Sequence, residues 1–124
     1  MFDWAEYLIL AEELAERQDN EAALRSSVSR AYYAVFGTAR KRLRDEGAHV
    51  LETGQAHIEV WNTYASSDQR LRREIGEYGH ILRRKRNDAD YNDSPKRWPD
   101  IAAESVEIAR RLLNSLEPPG APHR

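Results

Sequence analysis

The chain has 124 residues, 19 Lys and Arg against 21 Asp and Glu, a formal net charge of −2 and no cysteine. That length suits one domain. The charge balance excludes a uniformly basic nucleic-acid coat, so any attraction to phosphate must come from a local patch, and the lack of cysteine excludes a disulfide framework and a thiolate zinc site.

The N-terminal MFDWAEYLILAEELAER carries acids early and lacks the basic start and long apolar run of a signal peptide. No segment approaches the roughly 20 apolar residues of a membrane span, so a soluble cytoplasmic chain is expected. Apolar residues recur at helical spacing, with no strand-like alternation, and five helices are predicted. The first runs from about Asp3, as N-cap, to Gln18, with Trp4, Tyr7, Leu8, Ala11, Leu14 and Ala15 on one stripe. Asn20 caps a long second helix, about Glu21 to Glu46, which Gly47 stops. Its stripe is Leu24, Val28, Ala31, Tyr32, Val35, Ala39 and Leu43, and Gly37 inside it implies a closely approaching backbone.

A loop over 48–54 leads to a short third helix, about Gln55 to Ala65, with Ile58, Trp61 and Ala65 inward. Ser66, Ser67 and Asp68 supply a turn with a cap, and the fourth helix runs from about Gln69 to Ala89 or Tyr91. Pro95 and Pro99 mark a loop and the start of a fifth helix, with Pro99 in its first turn. That helix carries Ile101, Ala102, Val106, Ala109, Leu112, Leu113 and Leu116. The whole reads as an all-α, antiparallel up-and-down bundle over about 1–117, with a Pro/Gly-rich tail, 118–124, expected to be mobile.

The fourth helix holds the stretch richest in chemistry, LRRKRNDADYND, residues 82–93. At about 100° per residue, Leu71, Tyr78, Gly79, Leu82 and Ala89 fall within about 60° of Ile75 and define the inner face. Arg86 lands about 20° from Ile75, in the middle of that face, with Asp90 one turn later, while Arg84, Asn87 and Tyr91 point to the other side. Arginine keeps its proton, and an uncompensated buried charge costs several kcal/mol. Asp90 is therefore the expected partner. Either the two form a structural ion pair, or Arg86 lines a cleft or subunit interface and Asp90 holds it ready for a phosphate.

Seven Arg or Lys and two Glu lie between Arg70 and Arg86. With Arg40, Lys41, Arg42 and Arg44 they form a candidate basic patch, whose binding would fall steeply with salt. Arg83, Arg84 and Lys85, with Tyr33, are the candidate RNA- or nucleotide-binding residues. Tyr32 lies on the apolar stripe, where core packing is expected; Tyr33 lies off it, open to a partner or a stacked base. His49, His57 and His80 show no metal-ligand spacing, and neither a metal nor a cofactor is expected. His57, which opens the third helix, is expected to hydrogen-bond locally.

The segment SSVSRAYYAVFGTARKRL with the later LRRKRNDADY resembles the HEPN superfamily, whose pattern has a paired Tyr-Tyr and then Arg-x-x-Ala-Asp-Tyr. Here these are Tyr32-Tyr33 and Arg86-Asn87-Asp88-Ala89-Asp90-Tyr91. The resemblance covers about residues 4–117. It implies a helical bundle that commonly dimerises, and among its members are metal-independent ribonucleases, toxins paired with a nucleotidyltransferase antitoxin, and phage-defence components. It therefore implies a homodimer acting on RNA or a nucleotide, with a nucleotidyltransferase antitoxin as partner.

The family's active site is an Arg, often followed by Asn, then four to six residues, then His. This chain keeps Arg86-Asn87, but the positions where the histidine would stand are Tyr91, Asn92 and Asp93. Metal-free RNA cleavage needs a proton acceptor and a proton donor near neutrality, which histidine supplies with a pKa of about 6.5 and tyrosine and aspartate do not. Two readings stand. In one, a ribonuclease uses Arg86 on the phosphate, Asn87 or Asp90 to orient it and Tyr91 in place of the missing acid. In the other, a non-catalytic module binds nucleotide, RNA or a nucleotidyltransferase through the same cleft. In members with such an antitoxin a tyrosine near the catalytic histidine is adenylylated; Tyr91 stands in a different local pattern.

Overall fold

The computed structural model describes residues 1–117, and in it the chain is folded into five helices: α1 (Glu6–Ala15), α2 (Glu21–Asp45), α3 (Ala56–Ala65), α4 (Arg70–Tyr91) and α5 (Trp98–Leu116). The tail expected at 118–124 lies outside the described residues. Among those residues no helix is long and apolar enough to cross a membrane.

The punctuation works through local hydrogen bonds. Asn20 Oδ1 accepts from the Ala23 amide at 3.0 Å and starts α2. Gly47, at φ 93°, stops it. The Ala48 amide donates to the Leu43 carbonyl and the Gly47 amide to that of Arg44, both at 2.9 Å, which is a Schellman ending. Asp3 acts just outside α1: its Oδ1 accepts from the Ala5 amide at 3.1 Å, in a turn that feeds the helix.

α2 is the hub and touches all four other helices. Ser27 of α2 donates to Ala11 of α1 at 2.6 Å, and Gly37 lies against Trp4, so these two helices run antiparallel. α4 runs antiparallel to α2, with Arg25 near Ala89 and Asn92 and Glu46 near Arg72. It is also antiparallel to α5, where Lys85 pairs with Glu104 at 3.1 Å. One connection does not reverse direction. The segment after Gly47 returns along α2, so α3 starts beside Tyr32 and advances with it, His57 meeting Tyr32 and Tyr64 meeting Ala39.

The core joins Tyr32, Val35, Phe36 and Ala39 of α2 to Val60, Trp61 and Tyr64 of α3, Ile75 and Leu82 of α4, and Val106, Ala109 and Leu113 of α5. A smaller cluster of Leu24, Val28, Ala89, Trp98 and Ala102 closes the other end. Arg25 finishes that end: Nη1 donates to the Ala89 and Asn92 carbonyls at 3.2 and 2.7 Å, satisfying the C-terminus of α4. Its guanidinium lies 4.4 Å from the Trp98 ring.

Three expectations are corrected. Gly37 accommodates not a backbone but the Trp4 indole, which any Cβ there would overlap. Ile58 points outward at 44% exposure, because Val60 and Tyr64 take the inner positions of α3. Leu71 is 64% exposed; it lies in the first turn of α4 at the rim of a groove with Ile108 and Leu112.

Candidate functional site

The run Arg83–Arg86 is divided by helical rotation among four environments. Arg83 turns toward α3, where its half-buried side chain has an Nε with no hydrogen-bond partner among the described residues. Arg84 is exposed. Lys85 turns to α5 and pairs with Glu104. Arg86 turns to α2 and is enclosed, with 8% of its surface exposed.

What encloses Arg86 is mostly aromatic. Its guanidinium carbon lies 5.4 Å from the Tyr32 ring centre and 5.3 Å from that of Tyr33. Asp90 is a loose partner at 3.8 Å, and Arg86 Nε has no hydrogen-bond acceptor among the described residues. Asp90 also accepts from Ser29 Oγ at 3.4 Å, and that hydroxyl accepts from Arg30 Nη2 at 3.4 Å. The ion pair expected from spacing is present, but the ring faces supply much of the charge compensation.

Of the remaining candidates only Tyr33 is gathered against Arg86, and its ring also lies 5.2 Å from the Arg30 guanidinium. Asn87 is half-buried, and Tyr91 is 76% exposed on the far side of the helix.

The tertiary fold adds His57, for which a local bond was expected. Its partner lies far away in sequence: His57 Nδ1 is 2.6 Å from the Tyr32 hydroxyl, which also accepts from Trp61 Nε1 at 3.0 Å. Indole is only a donor, so both bonds at the Tyr32 hydroxyl are made when its O–H donates to Nδ1 and His57 carries its proton on Nε2. The imidazole stacks on Phe36, centroids 4.1 Å apart. Burial, and then the positive charges of Arg86, Arg83 and Arg40, push the His57 pKa down to about 4, so the ring is neutral near pH 7. Burial pushes Tyr32 up to about 12 against the opposing pull of Trp61, Arg86 and Arg83, so it keeps its proton.

Comparison with protein-family models, with curated proteins and with solved structures finds no match for this chain.

The basic patch expected from sequence is divided by acids that folding brings in. Glu46 pairs with Arg42 and Arg72, Asp45 with Lys41, Glu74 with Arg70 and Glu52 with Arg44. Among the described residues, no carboxylate lies within ion-pair distance of Arg30, Arg40, Arg83 or Arg84. Two of these cations lie on one aromatic cluster. Arg30 is 4.9 Å from the Tyr7 ring, and Arg40 is 5.5 and 5.2 Å from those of Trp4 and Phe36. Arg83 contributes through its charge, after burial and Arg86, to the lowered His57 pKa. His80, bonded to Asn62 at 3.0 Å, is lowered by burial and then by Arg83 and Arg84.

Sequence spacing contained part of this cluster unread. Arg30 precedes Tyr33 by three residues and Arg40 follows Phe36 by four, the offsets that face each other on a helix. Nothing local signals His57. Among the described residues, no group of three or more His, Cys, Asp or Glu is placed to hold a metal ion.

Proposed function

We propose that this chain is a HEPN-type helical module that binds single-stranded RNA through the guanidinium–aromatic face of α2 and α4, without cleaving it. The observation that carries this reading is the set Arg30, Arg40 and Arg83. Arg30 and Arg40 lie over aromatic rings, Arg83 acts on His57 through its charge, and none of the three has a carboxylate within pairing distance among the described residues. Unpaired guanidiniums attract phosphates, and the part-exposed rings of Trp4, Tyr7 and Tyr33 offer π-faces to unstacked bases.

Three features weigh against cleavage. Arg86 is enclosed by its own chain, so a scissile phosphate has little access to it. Tyr91 lies on another face. The imidazole of His57, which shares Tyr32 with Arg86, has its pKa pushed down to about 4. A general base works best with a pKa near the operating pH, so His57 is a weak proton acceptor at neutrality. A metal-independent ribonuclease, the second reading, draws on the fact that His57 and Arg86 both contact Tyr32.

One experiment separates the two. A labelled oligoribonucleotide is titrated with the protein in EDTA at several salt concentrations, and its integrity is checked on a gel. The expected result is intact RNA and binding whose log K falls with log salt with a slope of about −2, from about 0.7 per phosphate over three contacts. Arg30→Gln with Arg83→Gln should weaken binding at least tenfold. Salt-independent binding, or none, would overturn the reading. Cleavage lost in Arg86→Met would replace it with the enzyme.

A further inference from the structure

Trp4, Tyr33, Phe36, Arg40 and His57 line an open-sided cavity of about 280 Å³ at the N-terminal end of α3, with residues 52–54 along its loop side. We infer that this cavity seats a single nucleobase swung out of an RNA strand, with the adjoining phosphate on the Arg40 guanidinium. The inference rests on the RNA-binding reading above and names the part of that face that would distinguish bases.

Size limits the occupant. Small-molecule pockets run from about 300 to 1,000 Å³, so this one has room for one base with its phosphate and not for a dinucleotide. One wall is a packed ring pair. Phe36 and His57 stack on each other, centroids 4.1 Å and planes 15° apart, so a base would lie against the outside of the pair and not between its rings, and Tyr33 stands edge-on to both at 83° and 78°. Trp4 is part-exposed on the opposite side.

The polar groups are equally selective. His57 Nδ1 is occupied by Tyr32, which leaves Nε2–H as a donor with no protein partner among the described residues. A carbonyl oxygen or unprotonated ring nitrogen on a base edge complements that donor. Arg40 is the charged group. The acid in the lining, Glu52, acts on Arg40 through its charge but pairs with Arg44 at 3.6 Å, so among the described residues no carboxylate pairs with the Arg40 fork, which can take a phosphate. Aromatic faces, a fixed neutral donor and an unpaired guanidinium together describe a nucleoside monophosphate better than they describe an inorganic anion or an uncharged ring.

The test uses the isotope-labelled full chain and follows the indole N–H resonances of Trp4, Trp61 and Trp98, assigned with Trp4→Phe. The four nucleoside 5′-monophosphates, the matching nucleosides and inorganic phosphate are titrated separately. At least one monophosphate should move the Trp4 signal and leave that of the buried Trp98 in place. Its nucleoside should bind at least tenfold more weakly. Phosphate alone should leave Trp4 unmoved.

Arg40→Gln should reduce the monophosphate to the affinity of the nucleoside. Gly37→Ala lies outside the lining, but its methyl would displace the Trp4 indole, so it should lower affinity for nucleotide and nucleoside alike, with thermal melting reporting that the fold persists. Equal shifts with phosphate alone would reduce the cavity to an anion site and overturn the inference. If no mononucleotide moves Trp4 while the oligoribonucleotide still binds through Arg30 and Arg83, the pocket assignment falls and the RNA-binding reading stands. If neither binds, both fall.

Discussion

Arg86 and His57 both take their chemistry from their surroundings. Arg86 is compensated by ring faces and by a carboxylate at 3.8 Å, so much of its contribution is the volume and contact of its stem. Arg86→Met keeps that stem and removes the charge. Its unfolding free energy in urea should stay within about 1 kcal/mol of wild type, because exchanging a buried ion for a matched apolar group is often neutral. Arg86→Ala empties the space under Tyr32 and Tyr33 and should cost about 2–3 kcal/mol.

His57 carries a pH dependence of defined sign. In the folded chain it stays neutral down to about pH 4, whereas unfolded it takes a proton below about 6.5. The unfolded state therefore binds more protons between those values. Stability is intact above pH 6.5 and is lost as pH falls toward 4. The ring has an open side, so the full linkage is discounted to about 1–2 kcal/mol. In His57→Gln the amide oxygen can still accept from Tyr32, and the difference in urea midpoint between pH 7.5 and pH 5 should shrink relative to wild type. The inward position of Arg86 was legible from its angle on α4. Its aromatic partners were not, because Tyr32 and Tyr33 are on another helix.

At the scale of elements, α3 and α4 meet through glycine. A Cβ on Gly76 would overlap the backbone of Ala65, and one on Gly79 the ring of Trp61. The Ala65 main chain cannot rotate away, so Gly76→Ala should force the helices apart and lower stability by at least about 2 kcal/mol, measured by urea or thermal unfolding. Ordinary helix propensity predicts the opposite sign, a gain of about 1 kcal/mol, so the result decides between packing and propensity. Asn20→Ala should cost about 1 kcal/mol, through loss of the bond to the Ala23 amide.

Helix identity and order were readable from periodicity, and Asn20, Gly47 and Pro99 act where their chemistry placed them. The face of α3 was read nearly a full residue out of phase. Taking Ile58, Trp61 and Ala65 as inward placed the centre on the side of Trp61 away from Val60, whereas the true centre lies between Val60 and Trp61. Over a helix of ten residues, too few apolar positions exist to fix the phase.

Across the whole molecule, net charge says little and its distribution says more. Arg42 and Arg72 share Glu46, and this pairing lowers the Glu46 pKa, with the Arg72 hydrogen bond its main cause. Arg72→Gln should therefore change RNA affinity by less than about twofold, against the tenfold loss expected of Arg30 and Arg83, in the same titration at one salt concentration. The expectation of a homodimer drew on the resemblance and on Arg86 facing a wet cleft between subunits. One chain already encloses that guanidinium, so a second copy is not needed to explain its position.

The sequence by itself determined the five helices, most of their inner faces, the main stops and the inward turn of Arg86. Those follow from repeat geometry and from capping groups within a few residues of their targets. Only the tertiary structure decided which guanidiniums keep a carboxylate. Glu46 reaches Arg72 across 26 residues, Asp90 reaches Ser29 across 61, and His57 meets Tyr32 across 25. Charge compensation and the proton position on an imidazole depend on neighbours within a few ångströms. Those neighbours come from helices whose contacts are set by how the core closes, which no local spacing encodes.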